Sequence, residues 1–431
     1  MTRLIFPLLF IITISNSLSQ NWIEIKGDIV DSLNNIPIPF VNVYLKRSDG
    51  GTCTNYEGKF VLRLESSNIT DTIKISHIGY KLIEIPLPHL LQKDSIKLSL
   101  APLSTVLSDI TVYPPELAKA MVKKAFDNLG RNYPNKRHYY PAFYRETIIQ
   151  NNQSVRLTEA ALHLEDPGFK KDVSNVRMQI DQLRRSNDYS EKSNWDRVSR
   201  FLFGGKNTLY DTYESNNLRI YHSIRESKDL IYGSKFFDAF DFYKTGETYL
   251  DTTKVIIIDY ERKGSRQMQM QDTSRRYFFK QGRLFITNYD HAIIRLEDWM
   301  GTVLKPNGKT VKEYTVEGQY TSKVVCEFRK QLDKKYYLSW IEKTIIKSAN
   351  SFDQYFLFIN KNPFDNPKSL KVKGKFLFPK DVDLYDAKVS YNENFWDSYN
   401  SVLINPINEK TLREIQRVQP LKEQFRANRK K

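Results

Sequence analysis

Apolar and polar residues alternate in short runs between residues 22 and 100, and turn-forming residues separate these runs. Because successive side chains of a strand point to opposite faces, the alternation indicates strands with one buried face and one solvated face. The runs predict strands over Trp22–Val30, Val41–Lys46, Lys59–Leu64, Thr72–Ile78, Lys81–Leu87 and Ser95–Leu100. Short strands at this spacing, with turns such as Glu57-Gly58 between them, are typical of a β-sandwich.

A helical period replaces the alternation after the Pro114-Pro115 step, where apolar residues recur every three or four positions with lysines between them. Pro115 suits the first turn of a helix, and Gly130 suits the position just after its last turn. We therefore predict an amphipathic linker helix of about four turns that packs on the domain that follows.

Strand patterns return near residue 139. Phe143–Gln150 and Ser154–His163 are predicted to pair across Asn151-Asn152, whereas residues 166–244 are polar and irregular and allow no assignment. The remaining predicted strands are Lys254–Tyr260, Arg276–Phe279, Arg283–Thr287, Ala292–Trp299, Val311–Tyr320, Lys323–Leu332, Lys335–Lys347 and Gln354–Ile359. Two short turn-forming segments, residues 288–291 and 333–334, are predicted as hairpin connections. We expect a twisted antiparallel sheet with one covered face, followed by a helix over Glu409–Arg426.

The first residues have the layout of a secretory signal peptide. Arg3 precedes the apolar run Leu4–Ile14, and small residues at Ser17 and Ser19 occupy the −3 and −1 positions of a cleavage site. The other interpretation is a buried N-terminal strand. No later run approaches the ~18 apolar residues that a transmembrane helix requires. We expect export, to the periplasm, to the outer membrane or into the medium.

The length and the changes of pattern divide the chain, since 431 residues exceed one ordinary core. We predict a signal peptide over 1–19, a β-sandwich over 20–113, a linker helix over 114–133, a β-rich domain over 134–405 and a basic tail over 406–431. Aromatic residues make up 13% of the chain, which agrees with sheet structure. The predicted fold class is mostly β.

Positive charge is concentrated away from the sandwich. The net charge is +16, and residues 1–100 contribute only +1 of it. From Lys410 to Lys431 there are eight Lys or Arg and two Glu. This segment is either the solvated side of an amphipathic helix or a contact to an anionic membrane surface. Export argues against nucleic acid as a partner.

The sequence lacks the common motifs of catalysis and metal binding. Its six histidines form no pair with metal-ligand spacing, and it contains no Gly-x-Ser-x-Gly elbow and no Gly-x-Gly-x-x-Gly turn. Cys53 and Cys326 also lack such spacing, and we expect both to be buried thiols. We therefore predict no enzyme activity, no cofactor and no metal.

Two groups of residues are candidates for binding a ligand or partner. Arg145 and Glu159 lie on adjacent predicted strands, where an ion pair near an aromatic ring could orient a ligand or only hold the strands together. The Phe395-Trp396-x-x-Tyr399-Asn400 motif could form an aromatic platform, or a hydrophobic clasp that seals the C-terminal segment onto the sheet. The candidate binding residues are Tyr144, Arg145, Glu146, Glu159, Trp396 and Tyr399.

Four motifs in the first 80 residues resemble the carboxypeptidase-like regulatory domain that is common at the front of exported proteins of the Bacteroidota. They are Gly27-x-Ile29-x-Asp31, Ile38-Pro39-Phe40-Val41-Asn42-Val43, Gly51-Thr52-x-Thr54-Asn55-x-Glu57-Gly58-x-Phe60 and Ile75-Ser76-His77-Ile78-Gly79-Tyr80. The resemblance implies a seven-stranded, transthyretin-like sandwich with Val43 and Phe60 facing inward. The family often has Thr-Asp and Asp-Gly in the central turn, where this chain has Asn55 and Glu57-Gly58.

Later motifs resemble a whole-chain family that carries this domain followed by a β-rich domain of unknown function. They are Asn132-Tyr133-Pro134, Phe143-Tyr144-Arg145-Glu146, the strand Gly282–Ile286 before Ala292-Ile293-Ile294, and the Phe395–Asn400 motif. The resemblance covers roughly residues 22 to 405. It implies no peptidase activity, because the zinc-binding catalytic domain of a metallocarboxypeptidase is missing. The Gly282–Ile286 hairpin also resembles the half-barrel sheet of periplasmic lipoprotein carriers.

Three hypotheses for function follow. The first is a non-enzymatic binding or assembly module of the cell envelope that recognises a protein or glycan. The second is a lipid or lipoprotein carrier with an apolar groove in the sheet, as opposed to a sheet whose concave face is filled by its own helices. The third is a metal-independent glycan hydrolase, which needs two facing carboxyl groups about 5–10 Å apart in an open cleft.

Overall fold

A computed structural model describes most of the chain outside its first 21 residues. The described residues are 22–47, 51–91, 95–103, 114–169, 171, 175–191, 208–214, 236–262, 266–268, 276–304, 320–331, 333–359, 372, 374–380, 382–399 and 409–428. The predicted signal peptide and all but the last residue of the predicted strand Val311–Tyr320 lie outside these ranges. Within them, no helix is both long enough and apolar enough to cross a membrane.

The N-terminal domain is a sandwich of two small sheets. Its strands are β1 (Trp22–Asp31), β2 (Asn42–Leu45), β3 (Gly51–Cys53), β4 (Lys59–Glu65), β5 (Thr72–Ser76), β6 (Ile83–Pro86) and β7 (Ile96–Leu100). One sheet has the order β4-β1-β7 and the other the order β3-β2-β5-β6. Val43 and Phe60 lie between the sheets, fully buried, as expected. The alternation pattern missed β3, because three residues are too short to show a period.

The linker is a helix with a short continuation. Helix α1 (Pro115–Asp127) ends at the C-cap residue Asn128, and the single turn α2 (Leu129–Asn132) follows. Gly130 therefore lies inside α2, and the prediction that it terminates the helix was wrong. The apolar side of α1, including Val122 and Phe126, is buried against the large sheet.

The rest of the described chain is dominated by one large antiparallel sheet. Its strands are β8 (His138–Gln150), β9 (Gln153–Asp166), β10 (Arg177–Arg185), β11 (Phe240–Leu250), β12 (Thr253–Arg262), β13 (Arg266–Met268), β14 (Arg276–Thr287), β15 (Ile293–Leu304), β16 (Tyr320–Lys330), β17 (Tyr336–Ser348) and β18 (Ser351–Ile359). The order is β10-β9-β8-β18-β17-β16-β15-β14-β12-β11, with β13 beside β14. This arrangement confirms the mostly-β prediction. The sheet therefore consists of two meanders, β8–β10 and β11–β18, which meet where β8 pairs with β18.

Strand β14 joins two segments that the sequence suggested were separate. Gly282 lies between the two predicted segments and within the strand, at a position where a side chain would collide with the ring of Tyr260. The Tyr260 side chain lies over this glycine, and its hydroxyl donates a 2.7 Å hydrogen bond to Asp298. The glycine therefore admits a ring instead of ending the strand.

Short helices complete the described structure. They are α3 (Thr208–Glu214), α4 (Phe236–Ala239), α5 (Glu393–Ser398), α6 (Glu409–Ile415) and α7 (Leu421–Ala427). The single helix predicted over Glu409–Arg426 is wrong, because Pro420 separates α6 from α7. Proline lacks an amide hydrogen and cannot continue a helix, but it suits the position just before one.

The two faces of the large sheet differ in chemistry. We call the face that packs against α1 and α2 the inner face, and the opposite side the outer face. One row of directly paired inner residues is apolar across nine strands: Leu183, Ala160, Tyr144, Leu357, Ile341, Cys326, Leu296, Leu284 and Ile258. The next row, on the outer face, is mostly charged: Arg184, Glu159, Arg145, Phe356, Glu342, Val325, Glu297, Arg283, Asp259 and Tyr243.

The sandwich packs on the outer face near its centre, so that face is covered in part as well, whereas one covered face was predicted. Phe40 joins Trp340 and Phe356 of the sheet in one buried cluster. Asn42 donates a 2.6 Å hydrogen bond to Glu327 and accepts one from Arg329.

A second sandwich loop reaches the edge of the sheet. Ile78 enters the main core, and the amide of Gly79 donates a 2.9 Å hydrogen bond to the carbonyl of Tyr249 on β11. The two contacts fix the position of the sandwich on the sheet.

Candidate functional site

An ion triad on the outer face forms the centre of the candidate site. Glu159 is fully buried, and its two carboxylate oxygens accept hydrogen bonds from Nε of Arg145 and Nε of Arg184, each 2.6 Å long. The three residues lie directly opposite one another on β8, β9 and β10. Opposite residues on neighbouring strands have their Cβ atoms about 5 Å apart, so the sheet register assembles the triad.

The triad keeps its carboxyl group ionised. Burial raises the pKa of Glu159, but the guanidinium groups of Arg184 and Arg145 outweigh burial and hold the pKa below its ordinary value. One carboxylate between two guanidinium groups leaves a single excess positive charge. The site therefore holds a fixed cation at neutral pH.

Aromatic rings flank both arginines. The Arg145 guanidinium lies 5.3 Å from the ring centre of Phe143. The Arg184 guanidinium lies 4.4 Å from the ring of Trp396 and 5.0 Å from the ring of Phe425. These distances fall within the range of cation–π attraction, so the rings hold the guanidinium planes in place.

Trp396 is buried and packs on Phe143 of β8. Next to it, the rings of Phe395 and Tyr399 stack at 4.9 Å with planes inclined by 24°, and both residues are only partly buried. The Tyr399 hydroxyl donates a 3.1 Å hydrogen bond to the carbonyl of Ala142. Helix α5 thus combines a clasp, through Trp396, with a stacked aromatic pair that remains accessible.

The other two candidate residues face the opposite side of the sheet. Tyr144 is fully buried in the main core, and Glu146 forms an inner-face ion pair with Arg156. Adjacent residues of a strand point to opposite faces, so β8 separates both from Arg145. The structure therefore brings together Arg145, Glu159, Trp396 and Tyr399, and it excludes Tyr144 and Glu146 from that group.

Sequence reasoning missed Arg184, which lies in the unassigned region 166–244. Met178 and Ile180 begin a strand-like alternation, but a bulge between Ile180 and Gln182 shifts the period, so that Leu183 faces inward next. A bulge adds one residue to a strand and breaks the two-residue repeat. The alternation was present in the sequence but lasted for only four residues on either side of the bulge.

The sandwich interface holds two acids in an apolar setting. Burial raises the pKa of Glu342 to about 8. Burial also raises the pKa of Glu327, although Arg295 and Asn42 oppose it. His77 of the sandwich lies near Arg295, and burial together with that charge lowers its pKa to about 3.

No three His, Cys, Asp or Glu side chains converge on a metal-sized site within the described ranges. Cys53 and Cys326 are both buried, and neither forms a disulfide bond. Cys53 packs at the sandwich interface, while Cys326 lies in the apolar row on the inner face.

The C-terminal segment packs on the outer face beside the triad. Leu421 and Phe425 cover Leu157 of β9. Several of its charges are paired within the molecule, since Glu393 binds both Arg426 and Lys422 at 2.6 Å. The described part of the predicted basic tail is therefore an integral part of the folded domain.

The N-terminal domain matches a known family. The family described as CarboxypepD_reg-like domain matches residues 25–112. Residues 25–112 form a CarboxypepD_reg-like domain. Four of its residues, Phe40, Asn42, Ile78 and Gly79, hold this domain on the large sheet, and all four lie in the motifs that carry the resemblance.

Two solved structures resemble the chain weakly. A DUF1329 family protein from Desulfovibrio piger ATCC 29098 is 11% identical, with a TM-score of 0.24, and the match covers 61% of this chain and 99% of that one. A LolA superfamily protein from Nitrosomonas europaea is 9% identical, with a TM-score of 0.22, over 60% and 98% of the two chains. At these TM-scores the similarity supports no conclusion. No curated protein matches the chain.

Proposed function

We propose that the protein is an exported, non-enzymatic component of the cell envelope that acts as a binding or assembly module for a protein or glycan partner. The binding surface is the outer face around the Arg145–Glu159–Arg184 triad and helix α5. The CarboxypepD_reg-like domain supports that surface as a rigidly attached neighbour.

The proposal rests on the burial of the Glu159 carboxylate and on its pairing with two arginines. A general acid or base must exchange its proton with a bound substrate. Glu159 is fully buried, and both of its oxygens already accept hydrogen bonds from arginines. This carboxylate is therefore suited to hold two cations in a fixed geometry, and that arrangement favours recognition over bond cleavage.

Contacts between the sandwich and the C-terminal segment support a single assembled surface. Lys59 pairs with Glu409, and the amide of Glu409 donates a 3.2 Å hydrogen bond to Glu57. Arg63 donates to the carbonyl of Asp397, next to the aromatic pair of α5. The domain and the clasp thus lie side by side around the triad.

A pull-down from a native envelope fraction tests the proposal. We expect the wild-type protein to retain a defined partner, and Phe395→Ala to reduce retention because it removes half of the accessible aromatic pair. Tyr289→Ala is the matched control, since Tyr289 is an exposed aromatic residue outside this surface. Turnover of a peptide or glycan library by the purified protein, abolished by one acidic or histidine substitution, would contradict the proposal.

A lipid or lipoprotein carrier is the second candidate, and the apolar row of the inner face is the observation that favours it. However, Leu284, Leu296 and Ile341 in that row are fully buried, and α1 packs on this face. A carrier would have to move α1 to admit a lipid. Native mass spectrometry of the purified protein distinguishes the two, because a carrier retains copurified lipid and a binding module does not.

A further inference from the structure

Arg184 is held by more ring contacts than Arg145, the other arginine of the triad. Its Nε is fixed by Glu159, and its guanidinium carbon lies 4.4 Å from the ring centre of Trp396 and 5.0 Å from that of Phe425. Arginine side chains normally lose much rotamer freedom when they bind a ligand. Because these contacts already fix the group, little of that cost remains for binding.

The outer end of Arg184 is available to a ligand. Its two terminal nitrogens make no hydrogen bond to any described residue. Neither nitrogen is fully shielded from solvent. The side chain is 17% exposed. Two parallel N–H donors in this arrangement match the two oxygens of a carboxylate.

We propose that Arg184 is the anchor of a binding site for a carboxylate-bearing glycan, such as a polymer of uronic acids. This inference rests on the proposed binding function and names its ligand class. The guanidinium binds the sugar carboxylate, and the Phe395–Tyr399 pair supplies aromatic surface for a neighbouring sugar ring. Trp396 contacts all three residues and connects the two halves of the site.

Charge supports an anionic ligand. Glu159 is shared between Arg145 and Arg184, which leaves the triad with one excess positive charge. The neighbouring cations of α7 do not add to this excess, since Lys422 and Arg426 both bind Glu393 and Lys422 also pairs with Asp397 at 3.6 Å. Arg184 therefore presents a positive charge together with accessible donors.

The edge of the sheet argues for a glycan over an extended peptide. A peptide that adds to a sheet needs free backbone groups on the edge strand. On β10, the carbonyl of Met178 accepts a 2.8 Å hydrogen bond from Phe378, and the amide of Leu183 donates to Ser390 over 3.5 Å. The chain itself covers the edge at both places, while the aromatic pair and Arg184 remain accessible beyond it.

Binding measurements on the full mature chain test the inference. The probes are polygalacturonate, alginate and hyaluronate as carboxylated glycans, dextran as a neutral glycan, and polyglutamate as an acidic peptide. The variants are Arg184→Gln and Arg184→Lys. Arg177→Gln is the matched control, because Arg177 lies on the same strand and face, pairs with Glu165 and is 32% exposed. Melting temperatures of all variants confirm that each one folds.

We expect at least one carboxylated glycan to bind more weakly as salt increases, and dextran not to bind. Arg184→Gln should weaken that binding about tenfold or more, as expected for losing a charge-assisted pair of hydrogen bonds. Arg184→Lys should recover only part of it, and Arg177→Gln should bind like the wild type.

Three results would overturn the inference: no binding of any carboxylated glycan, binding that Arg184→Gln leaves unchanged, or a preference for polyglutamate. Envelope pull-downs with Arg184→Gln separate this failure from that of the proposed function. A partner that Arg184→Gln still retains would show that the module binds through other residues.

Discussion

The ring of Phe40 stacks on the ring of Trp340, with ring centres 4.8 Å apart and planes inclined by 27°. Phe40 has a positive φ of 58°, a backbone region that bulky side chains rarely adopt. Such strain costs about 1–3 kcal/mol and persists only where surrounding contacts offset it. Burial of the Phe40 ring against Trp340 and Phe356 supplies those contacts.

Phe40→Ala should therefore loosen the sandwich from the sheet. Loss of a buried aromatic ring costs about 3–5 kcal/mol, and alanine keeps the Cβ atom and therefore the backbone strain, so we expect a destabilisation of about 3–5 kcal/mol. Urea unfolding measures it, and Tyr289→Ala serves as the exposed control. An unchanged free energy of unfolding for Phe40→Ala would show that this contact does not hold the two domains together.

Glu342 should make stability fall as pH rises. Its pKa is raised from 4.5 to about 8 in the folded protein, so folding favours its protonated form. The contribution is fully present below about pH 4.5 and is lost progressively up to about pH 8. Because the side chain is only partly buried, we expect Glu342→Gln to stabilise the protein by about 1–2 kcal/mol at pH 8.5 and to have no effect at pH 4. Urea unfolding at both pH values checks this, and equal effects at both would contradict it.

His77 should act in the opposite direction. Its pKa falls from 6.5 to about 3 in the folded protein, because burial and the Arg295 charge disfavour the protonated ring. Stability is therefore fully present above about pH 6.5 and declines as pH falls towards 3. His77→Gln should flatten this decline, by about 1–3 kcal/mol between pH 7 and pH 4. Thermal melts across this range measure it, and parallel curves for the variant and the wild type would rule it out.

Gln424 should be essential for docking of the C-terminal segment. It is fully buried, accepts a 2.8 Å hydrogen bond from the amide of Asn187 and donates to the carbonyls of Ile415 and Gln419. Gln424→Leu keeps the volume but leaves three backbone groups without their partner, so we expect a loss of about 2–4 kcal/mol.

Limited proteolysis should then cut the variant near α7. The neighbouring exposed residue supplies the control, since Glu423→Gln should remain resistant. A resistant Gln424→Leu protein would mean that water replaces the lost hydrogen bonds.

Local chemistry made the hairpins predictable. Asn151 and Asn152 both adopt positive φ, at 52° and 62°, which asparagine tolerates better than most residues and which a two-residue hairpin requires. The connection between β8 and β9 could therefore be identified from these two residues alone. The alternation of apolar residues likewise indicated most strands to within a few positions, because each depends only on its neighbours in sequence.

The candidate site was harder to predict from the sequence, because it depends on the order of the strands in the sheet and on bulges. Arg145 and Glu159 were paired correctly, since they flank one hairpin. Tyr144 and Glu146 were grouped with them, although neighbours in a strand face apart. Arg184 lay beyond the bulge after Ile180, where the repeat no longer showed which side chains share a face.

The pairing of β8 with β18 sets the order in which this sheet can form. The amide of Asn151 reaches the hydroxyl of Ser351, 200 positions further along the chain. Contacts between such distant segments form slowly, because a long loop must close first. Until then, β8 remains an open strand edge that can pair with other chains. Folding of the second meander therefore protects the first from aggregation.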